Sequence, residues 1–140
     1  MHKAGRIVAA VAVTATAALG LSVAPAYAGS NGPQIESPDE GASVWFRHYG
    51  DKLYVFDQLG DGKSAVGTWR SRDPDSWGSV TLCNPVWNAR GHGYQVSGKC
   101  KYNGKYNDHP EGWNLEYHSC TGSYSGREVG ECSAAAAAVP

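Results

Sequence analysis

Glu116, His118 and Arg127 are the residues best suited to reaction chemistry in this chain. A carboxylate base, a histidine acid and an arginine that neutralises a phosphate can together cleave a phosphodiester. Residues two apart on a strand share one face, so Glu116 and His118 would stand side by side. The same alternation sets Asn114, Glu116 and His118 against Trp113, Leu115 and Tyr117. It therefore turns the candidate acid–base pair toward solvent, and an exposed polar face is the simpler expectation. Catalytic residues are not assigned.

Other motifs lead nowhere catalytic. Gly62-Lys63-Ser64 resembles the end of a phosphate-binding loop, but Asp57 stands where that loop requires its first glycine. Asp57 and Asp61 beside Gly62 lack the ligand alternation and terminal Glu of a calcium loop. His48, His92, His109 and His118 form no zinc-protease pattern, and no Gly-x-Ser-x-Gly elbow occurs. The expectation is a chain with no metal and no cofactor.

Four cysteines, Cys83, Cys100, Cys120 and Cys132, are an even set that suits disulfides in a small exported domain. Their spacing is too wide for the Cys-x-x-Cys ligation of zinc. Three connectivities are possible. Pairing of neighbours is expected, Cys83 with Cys100 and Cys120 with Cys132, each closing a loop of hairpin size.

Five tryptophans are many for this length, and most are expected in the core. Trp69 and Trp77, however, flank the charged stretch Arg70-Ser71-Arg72-Asp73-Pro74-Asp75-Ser76. A loop that combines tryptophan with arginine has the composition of an interface anchor. Trp69, Arg70, Arg72 and Trp77 are therefore the candidate protein-binding residues. Ile35 joins them as the large apolar residue of a segment that could order on a partner.

The elements that would carry these residues follow from texture. His2, Lys3 and Arg6 precede an apolar run from Ile7 to Val23, and Ala26-Tyr27-Ala28 is a small-x-small cleavage site. Residues 1–28 thus read as a secretory signal peptide. Residues 29–42 are polar and rich in turn formers, and are expected as a flexible arm. Residues 43–133 form one domain, and 134–140 are expected to fray. Composition and alternation mark strands at 43–49, 52–58, 64–71, 79–83, 94–101 and 113–118, and 127–132 closes the domain with Val129 inward. Asp61-Gly62 sits between two of them as a hairpin signal, and residues 70–77 read as a loop. No segment keeps a helical period. The predicted fold is all-β, a small disulfide-stapled sandwich or barrel of six to eight mostly antiparallel strands.

Cleavage after Ala28 takes 28 residues from 140 and leaves 112, enough for one domain. Loss of Lys3 and Arg6 from 12 basic residues leaves 10 against 13 acidic, a net charge of −3. Nucleic acid and anionic membranes are disfavoured as partners on that balance.

Several stretches carry a family likeness. They are Tyr54-Val55-Phe56-Asp57, Asp61 to Gly67, Trp87-Asn88-Ala89-Arg90-Gly91-His92-Gly93, Glu111-Gly112-Trp113 through Cys120, and Cys120 to Arg127 with Cys132. Over most of 52–133 the chain resembles small secreted actinobacterial two-disulfide β proteins. It is also similar in build to the small adaptor subunit of umbrella toxin particles. That resemblance implies a non-catalytic secreted domain that joins protein partners, with the arm as one contact. The secreted α-amylase inhibitors offer another comparison, with Trp69-Arg70 in place of their Trp-Arg-Tyr turn but Ser71 third and different cysteine spacing. The expected function is a protein-binding adaptor in an extracellular complex. An inhibitor of a secreted hydrolase, and a small secreted hydrolase or ribonuclease using Glu116 and His118, are the alternatives.

Overall fold

The computed structural model describes residues 29–73, 80–102, 105–106, 109 and 112–140. The signal segment and Trp77 lie outside the described residues. Every regular element among them is a strand: β1 (Ile35–Glu36), β2 (Ala42–Arg47), β3 (Lys52–Asp57), β4 (Ser64–Arg72), β5 (Val80–Leu82), β6 (Val86–Trp87), β7 (Gln95–Lys99), β8 (Lys101–Tyr102), β9 (Lys105–Tyr106), β10 (Asn114–Ser123), β11 (Glu128–Cys132) and β12 (Ala136–Ala138). A four-stranded antiparallel sheet has the order β1-β2-β3-β7. A six-stranded one runs β11-β10-β4-β5, with β12 also on β10 and β6 also on β4. The strands β8 and β9 form a separate hairpin. The sheets face each other as a sandwich and close no barrel. The ten strands in the two sheets exceed the expected six to eight because β1, β6 and β12, only two or three residues long, add to the longer ones. Pieces that short carry no readable period.

Strand alternation fills the space between the sheets. Val44 and Phe46 of β2 lie opposite Val55 and Leu53 of β3, and all four are fully buried. Facing them are Ala65 and Trp69 of β4 and Leu115 and Tyr117 of β10. Gly67 lets the sheets approach: a Cβ there would lie 2.6 Å from Leu53 Cδ2. The Ser119 hydroxyl donates to the Ala42 carbonyl across the gap at 2.9 Å, so a buried polar pair also ties the layers.

The disulfides are Cys83–Cys100 and Cys120–Cys132. They do different work. Cys120 and Cys132 face each other in register on β10 and β11. Cys83 follows β5 and Cys100 follows β7, so their bridge ties one sheet to the other.

Five expectations need correction. Residues 29–42 do not form a free arm. Ile35 pairs with Val44 and packs on the core, the Gly32 amide donates to the Phe46 carbonyl at 3.1 Å, and the Tyr117 hydroxyl donates to the Pro33 carbonyl. The tail is not frayed either. Ala136 and Ala138 are buried, and β12 pairs with Leu115–Tyr117 of β10. Asp61-Gly62 makes no hairpin, since β3 and β4 belong to different sheets and the loop crosses between them. Val129 of β11, expected inward, is exposed. Lastly, the loop expected over 70–77 starts later, because the strand expected over 64–71 runs on to Arg72, where β10 still pairs with β4.

Asp39 locks the first segment to that crossing loop and to β10. Its carboxylate accepts from the Ser37 hydroxyl (2.7 Å) and the Gly41 amide (3.3 Å). It also accepts from the Thr121 hydroxyl (2.7 Å) and Lys63 Nζ (3.0 Å). Burial alone would raise its pKa. The bonds from Thr121, Ser37, Lys63 and Gly41 outweigh it and hold the group well below the usual carboxylate range.

Candidate functional surface

The predicted binding residues are divided by the pleat of β4. Odd-numbered Trp69 and Ser71 point between the sheets, while Arg70 and Arg72 point outward. Trp69 is 3% exposed. Its ring lies against Phe46 and His109, and Nε1 donates to the Asn84 carbonyl at 3.0 Å. It is a core residue, so it offers no contact to a partner and no Trp-Arg turn is presented here. Ile35 is half-buried against the same core.

Arg70 and Arg72 remain on the surface, and the sandwich gives them neighbours that sequence reading passed over. Edge strand β5 sets Leu82 opposite Arg70 and Val80 opposite Arg72. Leu82 is 67% exposed and Val80 37% exposed. On the other side β10 sets Glu116 opposite Arg70 and Asn114 opposite Arg72. Arg70 Nε and Nη2 both reach Glu116 Oε2, at 2.6 and 2.5 Å. The ion pair holds the guanidinium upright beside the apolar edge. The result is a patch with two exposed aliphatic residues at its rim strand, two arginines in the middle and a carboxylate behind. Alternation of Val80 and Leu82 in the sequence was the signal for it. Which face they occupy depends on the partner strand, which sequence does not show.

The acid–base candidates are engaged elsewhere. Glu116 is committed to Arg70. The His118 Nδ1 lies 2.9 Å from the Ser133 carbonyl, so this nitrogen carries the proton and donates. Arg127 stacks over Tyr124 at 4.2 Å in the β10–β11 turn, not beside Glu116. The three residues converge on no common reacting point.

Nor do the loop acids form a cation site. Asp61 Oδ1 accepts from the Lys63 amide at 2.9 Å, a side-chain cap on the turn. Asp57 is buried, which raises its pKa, and its carboxylate accepts from the amides of Leu59 and Ala65. Among the described residues the one cluster with metal-ligand chemistry is Cys83, Cys100 and His109. Its sulfurs are bonded to each other, which removes the thiolates that a metal would need.

Among the described residues no helix is long and apolar enough to cross a membrane. That and the two disulfides are compatible with a secreted protein. Comparison of the chain with protein-family models, curated proteins and solved structures found no match.

Proposed function

We propose that this chain is a secreted, non-catalytic protein-binding domain, an adaptor subunit of an extracellular complex, and that it meets a partner through the β4–β5 corner. The observation that carries the reading is Leu82. A leucine 67% exposed on an edge strand, in register with Arg70, buries little of its side chain among the described residues. Exposed aliphatic anchors beside arginines are what protein interfaces bury.

The physical mechanism is recognition by a pre-set surface. Arg70 is already oriented by Glu116, so little side-chain freedom is lost when a partner carboxylate or carbonyl arrives. Among the described residues no strand pairs with the outer edge of β5, so it can accept an added strand with Leu82 as its side-chain anchor. The Cys83–Cys100 bridge immediately after β5 keeps that edge from moving. The likeness to toxin-particle adaptors suggests an antibacterial toxin assembly as the complex.

Affinity capture with the tagged protein from its producer's culture medium, followed by mass spectrometry, tests the reading. Large secreted partners in fixed ratio are the expected result. Capture of a single hydrolase would replace the adaptor with an inhibitor. Recovery of nothing would overturn both.

A further inference from the structure

We propose that the outer face of the four-stranded sheet is a second binding surface, built for a linear acidic polysaccharide. It rests on residues other than those of the β4–β5 corner, and on the opposite side of the sandwich.

Register arranges this face in rows across β2, β3 and β7. The first row is Arg47, Lys52 and Lys99, directly opposite one another. Like charges in direct cross-strand register are unfavourable. Lys99 has an interaction of its own, but the ion pairs among the described residues, Lys63–Asp39 and Arg70–Glu116, leave Arg47 and Lys52 out. Arg47 and Lys52, two cations kept side by side at that cost, are complementary to an anion from outside.

The second row is Trp45, Tyr54 and Ser97. Trp45 and Tyr54 stack at 5.6 Å with their planes 9° apart. Phe56 stands two residues along β3 from Tyr54 and so on the same face. All three rings are only partly buried, unlike the inward residues between them. Gln95 and Ser97 are exposed beside the rings. On the far side of Trp45 a shallow groove of about 270 Å³ is lined by Asn31, Gln34 and Arg47 among others.

Partly exposed rings flanked by hydroxyl and amide groups match a sugar, which has an apolar ring face and a polar rim. Open sheet faces of small β domains serve oligosaccharides in this way. The site is a face with a shallow groove and no enclosed cavity, which favours a polymer over a small molecule. The cation row makes the polymer acidic. A single-stranded nucleic acid presents the same negative charge and could stack on the same rings, so an oligonucleotide is the competing ligand in the test.

Gel retardation of the purified protein in polygalacturonate, against uncharged dextran of similar length, tests this. Retardation by polygalacturonate alone is expected, weakening as salt rises. Lys52→Glu and Tyr54→Thr, the latter a strand former, should each weaken binding about tenfold or more. Arg90→Glu in the 88–93 turn is the matched charge control and should keep most of the binding. The proposal is overturned if the wild type is not retarded, if dextran retards it equally, or if an oligonucleotide retards it more strongly than polygalacturonate. It is also overturned if Arg90→Glu loses as much as Lys52→Glu, which would mean bulk charge, or if Tyr54→Thr loses nothing. None of these outcomes bears on Leu82, so the corner and this face fail separately.

Discussion

The two faces of β4 share one backbone and have opposite uses. Inward, Trp69 fills the space between the sheets and touches Phe46 and His109. Outward, one residue later, Arg70 stands in solvent with Glu116 and Leu82 as its neighbours. Sequence adjacency suggested that Trp69 and Arg70 act together. The pleat separates them, so the true neighbours of Arg70 come from residues 12 positions ahead and 46 positions ahead in the chain. On a strand, a surface is assembled across the sheet rather than along the chain.

If this division is right, inward changes cost stability and outward ones cost binding. Trp69→Ala should have the largest effect, a loss of about 3–5 kcal/mol from lost burial and the cavity left behind. Urea denaturation measures it. A small loss would mean that Trp69 is not part of the core.

Breaking the disulfides should separate the layers in the same sense. Both close loops of similar length, 17 and 12 residues, so chain entropy gives each about 3 kcal/mol. Any difference between them therefore reports the folded state. Cys83→Ser with Cys100→Ser should cost more than Cys120→Ser with Cys132→Ser, because it releases one sheet from the other beside Trp69. Thermal unfolding of the two double variants decides the order.

The acid limb offers a third test. Asp39 has a lowered pKa, so its contribution is complete above the ordinary carboxylate range. It fades as pH falls through that range toward its own lower value. Asp39→Asn should lower stability at neutral pH and flatten the loss between about pH 5 and pH 2. Asp57 has the opposite sign. Its raised pKa means that ionisation opposes folding, and Asp57→Asn should not flatten the acid limb. Denaturation at stepped pH distinguishes the two.

The smallest stability effect is expected at the surface. Arg70→Ala removes a solvent-exposed ion pair and should change stability by less than about 1 kcal/mol. Partner capture should nevertheless weaken. A stability loss comparable to that of Trp69→Ala would erase the distinction between the faces.

How much of this was legible in the sequence depended on the range of the contacts. Leu53 and Val55 in β3 alternate with Tyr54 and Phe56, and Leu115 and Tyr117 in β10 alternate with Asn114, Glu116 and His118; that local period identified both strands and, in β10, the buried face. The cysteine spacing suggested the pairing that formed. The segment 29–42 was unreadable for a physical reason. Its order comes from Tyr117, whose hydroxyl bonds to Pro33 across 84 residues, and from Thr121 and Lys63 gathered on Asp39. Polar composition cannot report contacts that remote. The alanine tail failed differently: a run of one residue type has no alternation, yet its small side chains are what allow β12 to lie against the core at Leu115 and Tyr117. As for the surface, Arg70 and Arg72 could be picked out as exposed charges. Leu82 could not, because its exposure depends on β5 being an edge.

Leu82→Asp tests the central claim most directly, captured in parallel with the wild type from the same culture medium and with thermal midpoints measured on both. A partner recovered by the wild type and lost by the variant, at an unchanged midpoint, is the predicted result. Equal recovery by the two proteins would contradict it and remove the β4–β5 corner as the contact surface.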